Sequence, residues 1–179
     1  RKDDSQGKIM VVRGDCDPRD LHRLDRRQRE MSIGDRPDNV LLQKYGWPER
    51  SMQHVDEVKS NNILKDLTEL GCERKSGGSA ANTINGTARL GMRSSYIGKI
   101  GDDELGKFFH DDQLANNISP QLLIGKSSTG RAMVLIDKIA ERTFATYLGA
   151  AIEMTTEDLT DEMFDGYHYF NIEGYLVQN

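Results

Sequence analysis

Apolar positions along the chain fall into two patterns, helical spacing in some stretches and short continuous runs in others. From Ser60 to Leu70, residues Ile63, Leu64, Leu67 and Leu70 share one helical face, and Gly71 supplies a C-terminal stop. After Gly77-Gly78, the stretch Ser79 to Leu90 is rich in small residues, with Ile84, Ala88 and Leu90 as packing positions before Gly91. A second helix following a glycine turn is predicted. Tyr96 to Ile100 reads as a strand, and Asp102-Asp103 are N-cap candidates for a helix that buries Leu105, Phe108 and Phe109. Gly130 to Asp137 and Arg142 to Leu148 are β-rich runs joined by Lys138-Ile139-Ala140-Glu141, which predicts an antiparallel hairpin. Thr155, with Asp158 three residues on, is a capping-box start for a short acidic helix through Phe164. Gly166 to Ile172 is then an aromatic-rich strand ending at Glu173-Gly174. Helices between strands imply parallel crossovers, with the hairpin standing apart as a small β-element over the main sheet.

Residues 1–30 differ from the rest: nine Lys/Arg and seven Asp/Glu stand among few apolar residues, and only Ile9-Met10-Val11-Val12 has the character of a strand. From Asp15 to Glu30 only Leu21 and Leu24 are spaced for burial, so a solvated helix or an arm is expected there. The main α/β region is expected to begin at about Met31.

Composition narrows the function classes. At 179 residues one main domain is the prior, and 30% charged against 36% hydrophobic residues still permits a core. A net charge of −5 gives no reason to expect nucleic acid or an anionic membrane as partner, and leaves a small molecule open. Two cysteines, Cys16 and Cys72, form no CxxC and no Cys/His cluster, so neither a disulfide framework nor a zinc site is indicated. No apolar signal core or membrane-length run is present, and a cytoplasmic location is expected. The four histidines have no paired ligand spacing, and Cys72 has no neighbouring histidine to activate it.

The segment Ser76-Gly77-Gly78-Ser79-Ala80-Ala81-Asn82-Thr83 carries the most chemistry. Glycines let a ligand approach the backbone, a helix start offers free N–H groups, and Asn82 supplies donor and acceptor from the first turn, which suits a polyhydroxylated ligand. A turn without ligand remains the alternative. It is not a Walker A loop: Gly78 is not followed by Gly-Lys-Ser/Thr, and at Gly125-Lys126-Ser127 the required earlier glycine is Pro120.

Several motifs occur in order. GGSAANT, with Gly91 and Gly101 at the expected intervals, resembles the first signature of the ribokinase/PfkB carbohydrate kinase family. IGKIGDDELG, Glu141-Arg142-Thr143-Phe144 with Tyr147-Leu148-Gly149-Ala150, and Phe170-Asn171-Ile172-Glu173-Gly174-Tyr175 resemble its following segments. The resemblance runs from about Ile33 to Asn179. It implies a ribokinase-like α/β sandwich core, incomplete here, with a small β-sheet lid whose strands lie near 38–55 and 128–149. By the match, Gly77, Gly78, Ser79 and Asn82 hold substrate hydroxyls and Glu173 lies at the far side of the sugar pocket, the alternative for Glu173 being an exposed strand-end carboxylate. Around Asp35 the family's hydroxyl-binding Asp position is met by Asn39, or by Asp38 after a one-residue shift. Pro37 lacks the N–H of a central strand, Ile84 stands where the signature prefers a small residue, and Ala140 replaces a hairpin glycine.

The resemblance implies a parent kinase that transfers the γ-phosphoryl of ATP, with Mg²⁺, to a hydroxymethyl group of a sugar or ribonucleoside. The GGS form leans toward the adenosine-kinase-like branch. The second family signature, with its catalytic base and nucleotide site, is expected beyond Asn179, so no catalytic residue and no bound cofactor is expected within the chain. A non-catalytic binding or scaffold module is the alternative, and a chain whose first thirty residues replace the native start is a third. Self-association through the lid or an exposed sheet edge is expected.

Overall fold

A computed structural model of the chain describes residues 9–13, 40–69, 74–136 and 142–173. They fall into two compact units, one built from Ile9–Arg13, Ser76–Thr129 and 149–173, the other from the described residues of 40–75 and Gly130–Leu148.

In the first unit, strands β1 (Ile9–Arg13), β3 (Arg93–Ile100), β4 (Ile118–Ile124) and β7 (Tyr169–Ile172) form one sheet in the order β4-β3-β1-β7. β3 and β4 are parallel, while β1 runs antiparallel to both of its neighbours. β3, β4 and β7 therefore share one direction. Ile9 pairs with Ile97 on one side and Ile172 on the other, which fixes the relative height of β3 and β7.

Positions 94–98 of β3 are buried on both faces, which explains an apolar-to-small run without strict alternation. Tyr96 faces α3 (Ser79–Arg89), packing with Ala80, Ala81, Ile84 and Ile118, and makes an edge contact with Phe109 of α4 (Glu104–Ala115). Ile97, one residue on, faces the opposite side, where Met154, Leu159, Met163 and Phe164 cover it. The sheet is thus clothed on both faces. Ile84, bulkier than the resemblance prefers, is fully buried in this layer.

Small residues let α3 lie close to the sheet, and Gly91, at φ +85°, turns the chain back after it. The return is pinned by Met92 N–H donating to the Thr87 carbonyl at 3.2 Å and by the Thr87 and Ser94 hydroxyls at 3.1 Å. Consequently α3 begins near the carboxyl end of β3.

The fold corrects several expectations. β1 falls on the stretch of the first thirty residues that has strand character, but it pairs within the main sheet although that region was expected to begin at about Met31. β4 was not anticipated; it contains Pro120, tolerated because β4 is an edge strand. Asp103 does cap α4, but Phe108 is exposed and Leu105 only half-buried; the packed face carries Gly106, Phe109 and Gln113. The segment expected as one acidic helix is two 3-10 turns, Thr156–Asp158 and Asp161–Phe164, because Leu159 and the cap Thr160 are extended. Its Thr155/Asp158 capping box is present.

In the second unit, α1 (Val40–Tyr45), β2 (Met52–His54), α2 (Glu57–Glu69), β5 (Arg131–Ile136) and β6 (Arg142–Tyr147) surround one core. The sheet order is β2-β6-β5, with β5 and β6 antiparallel from Arg131↔Tyr147 to Ile136↔Arg142 and β2 parallel to β6. The connection 137–141 lies outside the described residues. Ile63 and Leu67 of α2 meet Leu41, Trp47, Met133, Leu135 and Ala145. Val40–Tyr45 is helical where strand was expected, and of the described residues 40–55 only Met52–His54 is strand.

Candidate functional site

The glycine pair and the start of α3 form the centre of the site. Gly78 has φ 101° and ψ 144°, a backbone conformation that an L side chain rarely adopts, and it caps α3 without a side-chain hydrogen bond. Its carbonyl accepts from Asn82 N–H at 2.9 Å, which starts the helix. The N–H groups of the first turn, from Ser79 onward, have no carbonyl within the helix to meet. They and the helix dipole give this end donor character and partial positive charge. Gly78 and Ser79 are exposed, Gly77 and Asn82 half-buried, so the backbone and one amide side chain are offered together.

Beside them stands Ser76, whose hydroxyl oxygen is buried without a hydrogen-bond partner although the residue itself is only half-buried. Sequence reasoning passed over Ser76, since nothing in the order of residues signals which way one hydroxyl turns.

Glu173 follows the last residue of β7. Because Ile172 and Ile97 both pair with Ile9, Glu173 stands level with Gly98, toward the carboxyl ends of β3 and β7. Burial pushes the Tyr96 phenol up, and the Glu173 carboxylate raises it further. Tyr96 packs against Ala80 and Ala81 of α3, so the phenol that Glu173 raises belongs to the layer under the start of α3. Both features occupy the carboxyl end of the parallel strands, where ligands of open α/β sheets bind. Asp35, Asp38 and Asn39 lie outside the described residues.

The second motif proves to be a clamp. Asp103 Oδ1 accepts from Gly106 N–H at 2.8 Å and from the Thr129 hydroxyl at 2.6 Å, while Oδ2 accepts from Thr129 N–H at 2.7 Å. Gly101 N–H donates to Thr129 Oγ1 at 3.0 Å. A Cβ on Gly101 would sit 2.6 Å from Thr129 N, and one on Gly106 2.4 Å from the Gly101 carbonyl oxygen, so both positions need glycine. The carboxylate of Asp103 is therefore committed to the fold.

Nearby acids and bases are likewise engaged. Lys99 Nζ donates to both oxygens of Asp158 at 2.8 and 2.9 Å, and Glu153 accepts from the N–H groups of Lys126 and Ser127. Hydrogen bonds from Ser127 and Lys126 hold the Glu153 carboxyl below its usual range, and those from Lys99 and Thr155 do the same for Asp158. Among the described residues no group of three His, Cys, Asp or Glu converges as a metal site, and no helix is long and apolar enough to cross a membrane.

The second unit has a cleft of about 430 Å³ lined by Lys44, Tyr45, Asn62, Lys65, Asp66 and Glu69. Asp66 accepts from Tyr45 and Lys44, both at 2.6 Å. Burial, aided by Asp66, pushes the Tyr45 phenol up to about 12. None of the described residues anticipated as site residues from sequence lines this cleft.

Comparison with known proteins matches residues 57–179 to the model of the pfkB family of carbohydrate kinases. The ribokinase of Staphylococcus aureus (strain COL) is 32% identical over 122 residues, covering 67% of this chain and 36% of that protein. The adenosine kinase of Sinorhizobium meliloti superposes with a TM-score of 0.58 at 28% identity, over 88% of this chain and 42% of that one. The Anopheles gambiae adenosine kinase, solved with P1,P4-di(adenosine-5) tetraphosphate, gives a TM-score of 0.63 at 26% identity, over 70% of this chain and 39% of that one. The chain thus spans well under half the length of these relatives, and within that span it has their ribokinase-like α/β fold.

Proposed function

Because the chain belongs to the pfkB family of carbohydrate kinases, we propose that Gly77, Gly78, Ser79, Asn82 and Glu173 form the acceptor side of a small-molecule kinase site that takes a ribose ring. The observation that carries this reading is the start of α3: an uncapped helix led by Gly78 at positive φ, with Glu173 at the same end of the sheet. Such a start presents backbone N–H groups at close approach, and Asn82 adds a donor and an acceptor, a set that pairs with neighbouring hydroxyls. The carboxylate of Glu173 adds acceptors only. A ribose ring is the moiety common to the substrates named by the ribokinase and adenosine kinase relatives, which makes it the acceptor of choice.

The residues of this chain bind and orient the acceptor; holding two reactants in line supplies much of the rate in phosphoryl transfer. ATP is the donor in the whole protein, with Mg²⁺ neutralising its phosphates. The described residues include no cluster that fits the metal, so no step is assigned to them through either group. In this reading the family's hydroxyl-binding Asp position, in the stretch that begins at Asp35, falls to Asn39 or to Asp38.

The test uses the full-length protein that carries this sequence. It consumes ATP when given adenosine or ribose, and Asn82→Ala weakens acceptor binding by about 1–3 kcal/mol in calorimetry. Unchanged affinity in a folded variant would leave Asn82 as a helix residue only, and no turnover with either acceptor would refute the assignment.

A further inference from the structure

Among the described residues beside the glycine pair, Ser76 carries a buried side-chain oxygen that is left without a hydrogen-bond partner. Its hydroxyl oxygen is buried and has no partner, while the residue as a whole still meets solvent. A buried hydroxyl without a hydrogen bond is disfavoured, and native proteins retain few of them without a reason. Alanine or glycine at this position would avoid the penalty. A serine side chain has three staggered positions about χ1, so a single rotation exchanges the inward oxygen for an outward one without moving the backbone. The position is one residue before Gly77, where the backbone is already open to close approach.

From these observations we propose that the Ser76 hydroxyl is an additional acceptor-binding group, held inward in the ligand-free chain and turned onto a ring hydroxyl of a ribose-containing ligand when it binds. The inference rests on the acceptor-site reading above. It assigns Ser76 a part in selecting a vicinal diol over a deoxy ring, because a hydroxyl turned onto the bound ring, where the ligand displaces water, is left unpaired when the ring lacks its partner. A site built around a ligand hydroxyl discriminates against the analogue that lacks it by leaving its own polar group unpaired.

The experiment measures binding of adenosine, 2′-deoxyadenosine, 3′-deoxyadenosine and ribose to the full-length protein and to its Ser76→Ala and Ser76→Gly variants, with a thermal melt of each. Both variants should bind adenosine roughly three- to tenfold more weakly than the parent, the worth of one neutral hydrogen bond. The loss should vanish for whichever deoxy analogue lacks the paired hydroxyl. Ser76→Ala should melt no lower than the parent, since it removes an unsatisfied oxygen. Equal adenosine affinity in parent and variants, or a loss that persists with both deoxy analogues, would overturn the Ser76 assignment alone. If the unmodified protein binds neither adenosine nor ribose, the acceptor-site reading fails and this inference with it.

Discussion

Replacing Asp103 by alanine removes at least three hydrogen bonds at one carboxylate, and their cost follows from the geometry. The cap on Gly106 N–H, at 2.8 Å, is worth about 1 kcal/mol. The two bonds from Thr129, at 2.6 and 2.7 Å, are to a charged acceptor, each worth roughly 1.5–3 kcal/mol. Thr129 is only 7% exposed, so water does not readily replace the carboxylate at its N–H. Because all three bonds share one side chain they do not simply add, and a loss of about 3–4 kcal/mol is expected. Thr129→Val keeps the shape of the side chain but removes the hydroxyl that bridges Asp103 and Gly101 N–H, at about 1–3 kcal/mol. The double variant should lose less than the sum of the two. Urea unfolding followed by far-ultraviolet circular dichroism is the suitable assay, because the single tryptophan, Trp47, belongs to the other unit. With a slope of roughly 2 kcal/mol/M, the Asp103→Ala midpoint should fall by about 1.5 M. A loss under about 0.5 kcal/mol in Asp103→Ala, or strict additivity with Thr129→Val, would refute the clamp.

Two further outcomes follow from the same unit. Asp158 and Glu153 titrate below their ordinary values in the folded chain, so their contribution to stability is present above the unfolded carboxylate range near pH 4 and is lost as pH falls through the folded values. Denaturant midpoints measured from pH 6 to pH 3 should therefore drop, and less steeply in Asp158→Asn; parallel curves for the two proteins would dismiss the Lys99–Asp158 pair as a source of that dependence. Among the described residues β7 is the last strand of its sheet, with Tyr169, Phe170 and Ile172 exposed, and an apolar sheet edge invites association. Residues 1–179 expressed alone should accordingly sediment as dimers or larger species at micromolar concentration, whereas a compact monomer with a cooperative melt would count against this.

Local rules in the sequence determined much of both units. The 3.6-residue spacing around Ile63 and Leu67, the Gly-Gly start and Gly91 stop of α3, the Asp103 cap and the hairpin runs of β5 and β6 each depend on contacts within a few residues. Such signals survive without knowledge of the fold. The ordered motifs also carried the family, because glycines at Gly78, Gly101 and Gly106 answer to backbone conformation or to an approach closer than a Cβ allows. Tertiary structure decided the rest. Whether Phe108 or Gln113 faced the core depended on where β4 lay, and β4 itself was hidden by Pro120, whose missing N–H matters only in a strand paired on both sides. β1 found its place through partners eighty or more residues away in sequence, and its register set Glu173 level with Gly98. Asp103 and Asp158 look alike in sequence as turn-side carboxylates, yet one closes on Thr129 and the other on Lys99. The inward turn of the Ser76 hydroxyl, on which the site's discrimination is proposed to rest, has no counterpart in the order of residues, because burial of a single oxygen is a property of everything packed around it.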